Sequence, residues 1–500
     1  MYFTSIRSGS ISLILTFYFA LPGVGQVAQL DRYELVLDDQ IGLDYPKVTS
    51  LGAEGILVHR RIRSRADDQV ELIKLDTSLH EDWRGAIPIE KNLAISKVVA
   101  HDQIVYALLR SVSYGNFDFE IIAMDVNTRS YKRYLIKNLI PLNPTDFSIS
   151  TNAILIGGYF NSSPVVLHFS FNTGRSRLLP GFFSDPGVLN QIKTDSDGRI
   201  DIIVSSRNIQ RKKVLWIRSY TPEGDLIKAT VVEGDIDKNL ISGRSFRKSD
   251  GTQIIAGSFG VRNIEYSRGI FIAEIKPDGE QMMQYYNFSD LENFFKFMKP
   301  RHEARLKERI EKRKLNGKKN RQSYRFLTHE LHQYGNEFIL LGEAFYPRYV
   351  YANTYFFSLR GDRIFDGYRY TNAAIIGFDE TGKLKWDNAF EINDIKTFYL
   401  NQFVKLAPKD NRMGMLYLFD NEVRSKTIQN NQVLKGKSKE VLKSKFDTDM
   451  VREKDTESSA LEYWNHPYFY AHGIQYVHNS KEVKNGSGRK VLFINKLKFQ

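Results

Sequence analysis

The sequence predicts an all-β fold, a β-propeller of eight four-stranded blades, with seven as the next count. Three observations predict it. A strand–turn–strand unit recurs eight times along the chain. A second hairpin follows it in most copies. The last unit runs out one strand short, and a lone strand near the start can complete it.

The unit first reads KVTSLGAEGILVHRRI from Lys47, then SKVVAHDQIVYALLRS from Ser96. It returns from Asp146, Gln191, Ser245, Thr328, Phe403 and Tyr463. Its turns are expected near Gly55, Asp102, Asn152, Gly198, Gly251, Gly335, Asn411 and Gly473. Gly, Asn and Asp suit these places because a two-residue hairpin needs positive φ, which β-branched residues resist.

The second hairpin starts at Glu71, Glu120, Val165, Leu215, Ile270 and Ala374. Alternating apolar residues enter a D-x-[TN]-G or P-[ED]-G turn and leave as another strand. A seventh copy, over 422–446, reads as degenerate. In the final unit the strand RKVLFINKLKF reaches the last residues, and residues 31–37 (DRYELVL) are the expected fourth strand. Closure by that strand leaves no sheet edge open to aggregation.

Composition agrees with this architecture. The 33 Phe and 27 Tyr favour a pleated, half-buried surface. Hydrophobic residues make up 42% of 500, enough for a large core, and 14 Pro speak against a disordered chain. Cysteine is absent, which excludes disulfides, thiolate metal sites and Cys nucleophiles.

Residues 1–25 read as a signal peptide. Arg7 supplies the positive region, residues 11–21 (ISLILTFYFAL) the apolar one, and Gly23-Val24-Gly25 the small residues before cleavage at Gln26. That apolar run is too short to span a bilayer, and no later run is longer. A soluble, exported protein, periplasmic or secreted, is expected, with residues 26–500 as a single propeller domain.

Two segments depart from the repeat. The first, residues 289–325, lies between blades five and six. Ser289 and Glu292 read as a capping box before a short apolar helix (Leu291, Phe294, Phe295, Met298) that Pro300 interrupts. The next stretch, RHEARLKERIEKRKL, is helical by propensity, with Glu303–Lys307 and Glu308–Lys312 pairs and a stop at Asn316-Gly317. Residues 296–325 carry a net charge of +10 out of +13 for the whole chain. The candidate anion-binding residues are Arg301, Arg305, Arg309, Lys312, Arg313, Lys314, Lys318 and Lys319. The plain alternative is a solvated helix kept soluble by charge.

The second departure, residues 345–370 within blade six, holds ten Phe and Tyr with interspersed Arg. Aromatic faces and guanidinium forks suit sugars, peptides and other planar or anionic groups. The candidate ligand-binding residues are Tyr346, Arg348, Tyr349, Tyr351, Tyr355, Arg360, Arg363, Tyr368, Arg369 and Tyr370. The alternative is two lengthened strands packing their aromatics on neighbours.

No catalytic residue, cofactor or metal ligand set is expected. There is no G-x-S-x-G, H-E-x-x-H or phosphate-cradling Gly loop. His329 and His332, at i and i+3 on an expected strand, belong to opposite faces. His466, His472 and His478 share the last hairpin without an acidic partner at a matching position. Asp195-Ser196-Asp197-Gly198 reads as a hairpin turn, since the residues after the Gly do not complete a calcium loop.

Phe378-Asp379-Glu380-Thr381-Gly382-Lys383-Leu384-Lys385-Trp386 resembles the PQQ-like propeller repeat, of pattern A-x-D-x-x-T-G-x-x-x-W. Asp76 and Trp83 keep the same spacing without the Gly; the other copies keep the turn and lose the Trp. The stretch from Phe365-Asp366-Gly367-Tyr368 to Trp386 also resembles uncharacterised exported propeller proteins of the Bacteroidetes. Quinoprotein dehydrogenases of the PQQ-like group hold their quinone between a Trp and adjacent Cys, beside calcium. This chain has no Cys and four Trp, so that cofactor site is not carried over. The resemblance therefore implies the non-catalytic branch, whose eight-bladed propellers are envelope assembly scaffolds.

These readings combine into a monomeric binding or scaffold protein of the cell envelope. Its expected partner is an envelope protein or an anionic glycan or lipid surface, not nucleic acid. The alternatives are an enzyme acting on a glycan or small molecule in the propeller funnel, and an anionic-surface binder using the basic helix.

Overall fold

The computed structural model describes residues 26–37, 44–63, 65, 67–113, 115–138, 140–181, 186–262, 265–351, 363–452, 454–479 and 488–500. The expected signal peptide, residues 1–25, lies outside the described residues.

Eight antiparallel sheets form the propeller, each built from four main strands that pair in chain order. Counting the sheet of residues 47–89 first, the blades follow over 93–136, 143–178, 187–232, 238–287, 325–391 and 405–441. The seventh blade, expected to be degenerate, has four regular strands: Lys405–Lys409, Arg412–Phe419, Glu422–Gln429 and Gln432–Val441. The eighth takes three strands from the last part of the chain and its outermost one from the start. Val27–Val36 pairs antiparallel with Gly488–Phe499, in register from Val27↔Phe499 to Val36↔Val491. Backbone bonds from Leu37 N to Lys490 O (2.8 Å) and Gln500 N to Gln26 O (3.0 Å) bound that pairing at each end.

Each blade presents alternating apolar residues on both faces, so each buries one face against either neighbour. The result is eight separate apolar cores, one per blade–blade interface. One of them joins Ile56, Val58 and Ile73 of blade one to Trp464, Tyr470 and Ile494 of blade eight. Eight interfaces for eight blades make a closed ring.

The innermost strand bulges in blades two to six and in blade eight, as at Leu189/Gln191, Leu240/Ser242, Thr328/Leu331 and Thr456/Ser458. In blades three, five and eight the bulge brings a carbonyl against the facing strand, where a glycine leaves room. A Cβ on Gly257 would sit 1.9 Å from Ser242 O, and one on Gly473 would sit 2.0 Å from Ser458 O. Gly473 is thus not the turn it reads as: it lies inside Tyr468–Asn479, and the turn is at His466-Pro467.

The insertion between blades five and six differs in its first half from the expected short helix. Two 3-10 turns, Phe288–Asp290 and Phe294–Phe297, precede one α-helix, Pro300–Leu315 (α1). Asn287 and Asp290 form the capping box, rather than Ser289 and Glu292. Pro300 opens α1 instead of interrupting a helix, because at the first position its missing N–H removes no hydrogen bond. Asn316 caps the other end and Gly317 follows at φ 62°. Phe288, Leu291, Phe294, Phe295 and Ile310 are buried in the core shared by blades five and six. Among the described residues no helix is long and apolar enough to cross a membrane.

Candidate functional site

In a four-stranded meander, the second-to-third connection and the link to the next blade leave the same end of the ring. The other two turns leave the opposite end. The blade-six hairpin is a second-to-third connection, and the α1 insertion links blades five and six. Both departures from the repeat therefore project from one end.

The hairpin strands are long, Glu337–Tyr351 and Arg363–Phe378, and remain paired outward to Tyr351↔Arg363. Aromatic contacts bind the hairpin to the following segment. Ring centroids lie 5.0 Å apart for Tyr370–Phe403 and Phe365–Tyr368, 5.9 Å for Tyr349–Phe365 and 6.2 Å for Phe365–Phe398. Tyr370 is the root of this ladder. Its hydroxyl donates to Asn401 O (2.8 Å), and burial pushes its phenol above the ordinary range.

Further out the ladder becomes an exposed patch. Tyr346, Tyr349, Val350 and Ile364 meet solvent there, with Phe398, Tyr399 and Leu400 exposed beside them; Tyr399 is 78% exposed. Charge rims the patch. Asp366 accepts from Lys396 and lies 3.4 Å from Arg348, so two cations hold its carboxyl below the usual range. Tyr368 and Arg369 are half-buried, and Arg369 Nε is a buried donor without a partner among the described residues. Arg363 is exposed at the hairpin's outer end. Tyr355 and Arg360 lie outside the described residues, as does the side chain of Tyr351.

On α1 the cations divide into two sets. Lys312 pairs with Glu308 (2.8 Å), Lys314 with Asp290 (3.7 Å) and Lys319 with Asp237 (3.0 Å). Arg313 donates to Lys319 O (2.6 Å), and the expected Glu303–Lys307 pair closes at 2.7 Å. Arg301, Arg305 and Arg309 stand four residues apart on the face away from buried Ile310. Among the described residues these three make no ion pair, and Lys318 makes none either.

Inside the ring is a polar cluster that the sequence reading did not single out. The bulge at Thr328/Leu331 reverses the alternation between His329 and His332. Instead of opposite faces, both line one cavity of about 400 Å³ with Tyr334, Lys405 and Tyr463. Behind it, fully buried Glu343 accepts from His329 Nε2 (2.9 Å) and from the backbone N of Phe403 (2.9 Å) and Val404 (2.8 Å). Glu330 accepts from Gln191 of blade four (2.5 Å), and Lys405 pairs with Glu462 of blade eight (2.7 Å). Of the other histidines, His478 does have an acid, Asp455 at 3.2 Å. No group of three or more ligating side chains is placed to hold a metal among the described residues.

No family model and no curated protein sequence matches the chain. Solved structures are similar in outline. They include a prolyl endopeptidase (7% identity, TM-score 0.41, 86% of this chain and 54% of that one). Others are the polysaccharide lyase Uly1 (10%, 0.40, 92% and 100%) and the propeller domain of the Trilobed protease from Pyrococcus furiosus (8%, 0.37, 80% and 98%). The chain spans about half the length of the prolyl endopeptidase. A likeness at this level speaks neither to substrate nor to partner.

Proposed function

We propose that the protein is an exported, non-catalytic binding protein of the cell envelope. Residues 1–25 act as its leader and residues 26–500 form one propeller domain, with 289–325 inserted in it. It engages its partner with the end of the ring that carries the blade-six hairpin and α1. The exposed aromatic patch around Tyr349, Phe398 and Tyr399 supports this reading. It is built from two chain segments, held by ring contacts and rimmed by cations, the composition of a recognition surface.

The test is cosedimentation of the purified protein with envelope membranes of its native cell. Wild type is expected in the pellet. Tyr349→Ser/Tyr399→Ser, with an unchanged melting temperature, is expected to lose most of that binding, by tenfold or more as central aromatic anchors do. Equal pelleting of variant and wild type contradicts the reading.

The unpaired Arg301, Arg305 and Arg309 favour a second reading, contact with an anionic glycan or lipid surface. Arg301→Gln/Arg305→Gln/Arg309→Gln then lowers binding to anionic vesicles and removes its salt dependence. An enzyme in the funnel gains less support, because Glu330, Glu343 and Glu462 are each engaged by a protein donor.

A further inference from the structure

The channel cavity differs from its surroundings in where its hydrogen-bonding capacity is left over. Its formal charges are already satisfied. Glu330 is held by Gln191 and lies 3.5 Å from Arg244, and Lys405 is held by Glu462. The uncharged amphoteric groups are not. Among the described residues the hydroxyls of Tyr334 and Tyr463, both ring nitrogens of His332 and Nδ1 of His329 make no hydrogen bond to protein. The two tyrosine hydroxyls and the His332 ring can each donate or accept as the partner requires, while Nδ1 of His329 accepts, because its Nε2 donates to Glu343.

These groups converge on an apolar wall of Leu341, Val404 and Leu406. Tyr463 lies close to Tyr334: burial, then the Tyr463 phenol, pushes the Tyr334 phenol up. His329 is fixed in orientation by the Glu343 carboxylate behind it, so Nδ1 is its remaining polar atom.

We propose that this cavity is a binding site for a neutral carbohydrate. The matching ligand has many hydroxyls that both donate and accept, a hydrophobic face for the wall, and no charge, since the ionic partners at the rim are already taken. A carboxylate entering here would share the Lys405 ammonium with Glu462, and an ammonium ion would share the Glu330 carboxylate with Gln191 and Arg244, so neither meets an unclaimed counter-charge. A hydroxylated ring need displace only water.

The ligand is longer than one sugar ring. Pro408 and Tyr463 also line a second cavity of about 520 Å³, and Pro408 and Tyr334 a third of about 590 Å³. The second reaches the first-to-second turns at Asp410 and Pro467 and the third those at Gly335 and Asp410, the end of the ring opposite the aromatic hairpin. The site is therefore independent of the partner surface proposed above.

The experiment is saturation-transfer NMR on the intact protein with maltose, cellobiose, lactose and diacetylchitobiose at millimolar concentration, and with galacturonic acid as charged comparator. Saturable transfer to at least one neutral disaccharide is expected. Tyr334→Phe/Tyr463→Phe, which keeps both rings, is expected to weaken it about tenfold through two lost hydroxyl bonds. Tyr349→Ser, on the other end of the ring, leaves it unchanged. No transfer to any of the four disaccharides, equal transfer in the double Phe variant, or preference for galacturonic acid overturns the proposal. Should the double Phe variant melt earlier than wild type, His332→Leu removes both ring nitrogens at a solvent-exposed position and supplies the same comparison.

Discussion

At the scale of single residues, the inner-strand bulges explain which positions tolerate change. Gly257 and Gly473 face carbonyl oxygens that a methyl group would strike, whereas a Cβ on Gly436 would meet nothing within 4 Å. Gly257→Ala and Gly473→Ala should each lower unfolding free energy by about 3 kcal/mol, and Gly436→Ala by less than about 0.5 kcal/mol, in urea titrations. The same bulges mark what was hidden in the sequence. Gly473 reads as a turn because glycine signals both turns and close backbone approach, and only the pairing tells them apart. His329 and His332 read as facing apart because strict alternation fails at a bulge. The recurring glycine inside the second strand, as in Gly257, Gly342 and Gly473, was the available signal.

His59 offers a second test at this scale. It is 4% exposed, with Nε2 3.2 Å from Thr49 Oγ1, and Nδ1 is buried without a partner. Burial pulls its pKa down from 6.5 to about 3. The unfolded chain therefore binds the proton first, so this contribution is intact above pH 6.5 and is lost as pH falls below it. At pH 5 the loss amounts to about 2 kcal/mol. His59→Leu should flatten the stability curve between pH 7 and pH 5 by that amount, measured by denaturant titration.

At the scale of elements, one side chain adds a buried polar anchor to the apolar docking of the insertion. Asp387, 3% exposed in the outer strand of blade six, accepts the backbone N–H of Glu292 (2.9 Å) and Asn293 (2.8 Å). Its loss leaves two amides at a buried interface unpaired. Asp387→Ala should cost about 3 kcal/mol and raise hydrogen exchange in residues 291–315 while the other blades stay protected. Uniform exchange across the ring would contradict that assignment. The helix from Arg301 and its end followed from propensity, charge pairs and Asn316-Gly317, and apolar spacing gave the docking of the segment before it. That segment forms 3-10 turns rather than the expected helix, because apolar spacing over so few residues fits either.

At the scale of the molecule, repeat spacing was enough to give the blade count and the donor of the last strand, since a hairpin period survives where individual motifs fade. The channel site was not legible. It is assembled from residues of blades six, seven and eight that lie far apart in the chain, which no local pattern relates. What unites these features is a closed ring, which gives both ends of the channel their composition. Backbone hydrogen exchange on residues 27–36 tests that closure most directly. In a closed ring the amides of 27–36 that bond to the partner strand are protected together with those of 488–499 and open with them in one transition. Exchange of 27–36 at the rate of an unpaired chain, with 488–499 still protected, would contradict it.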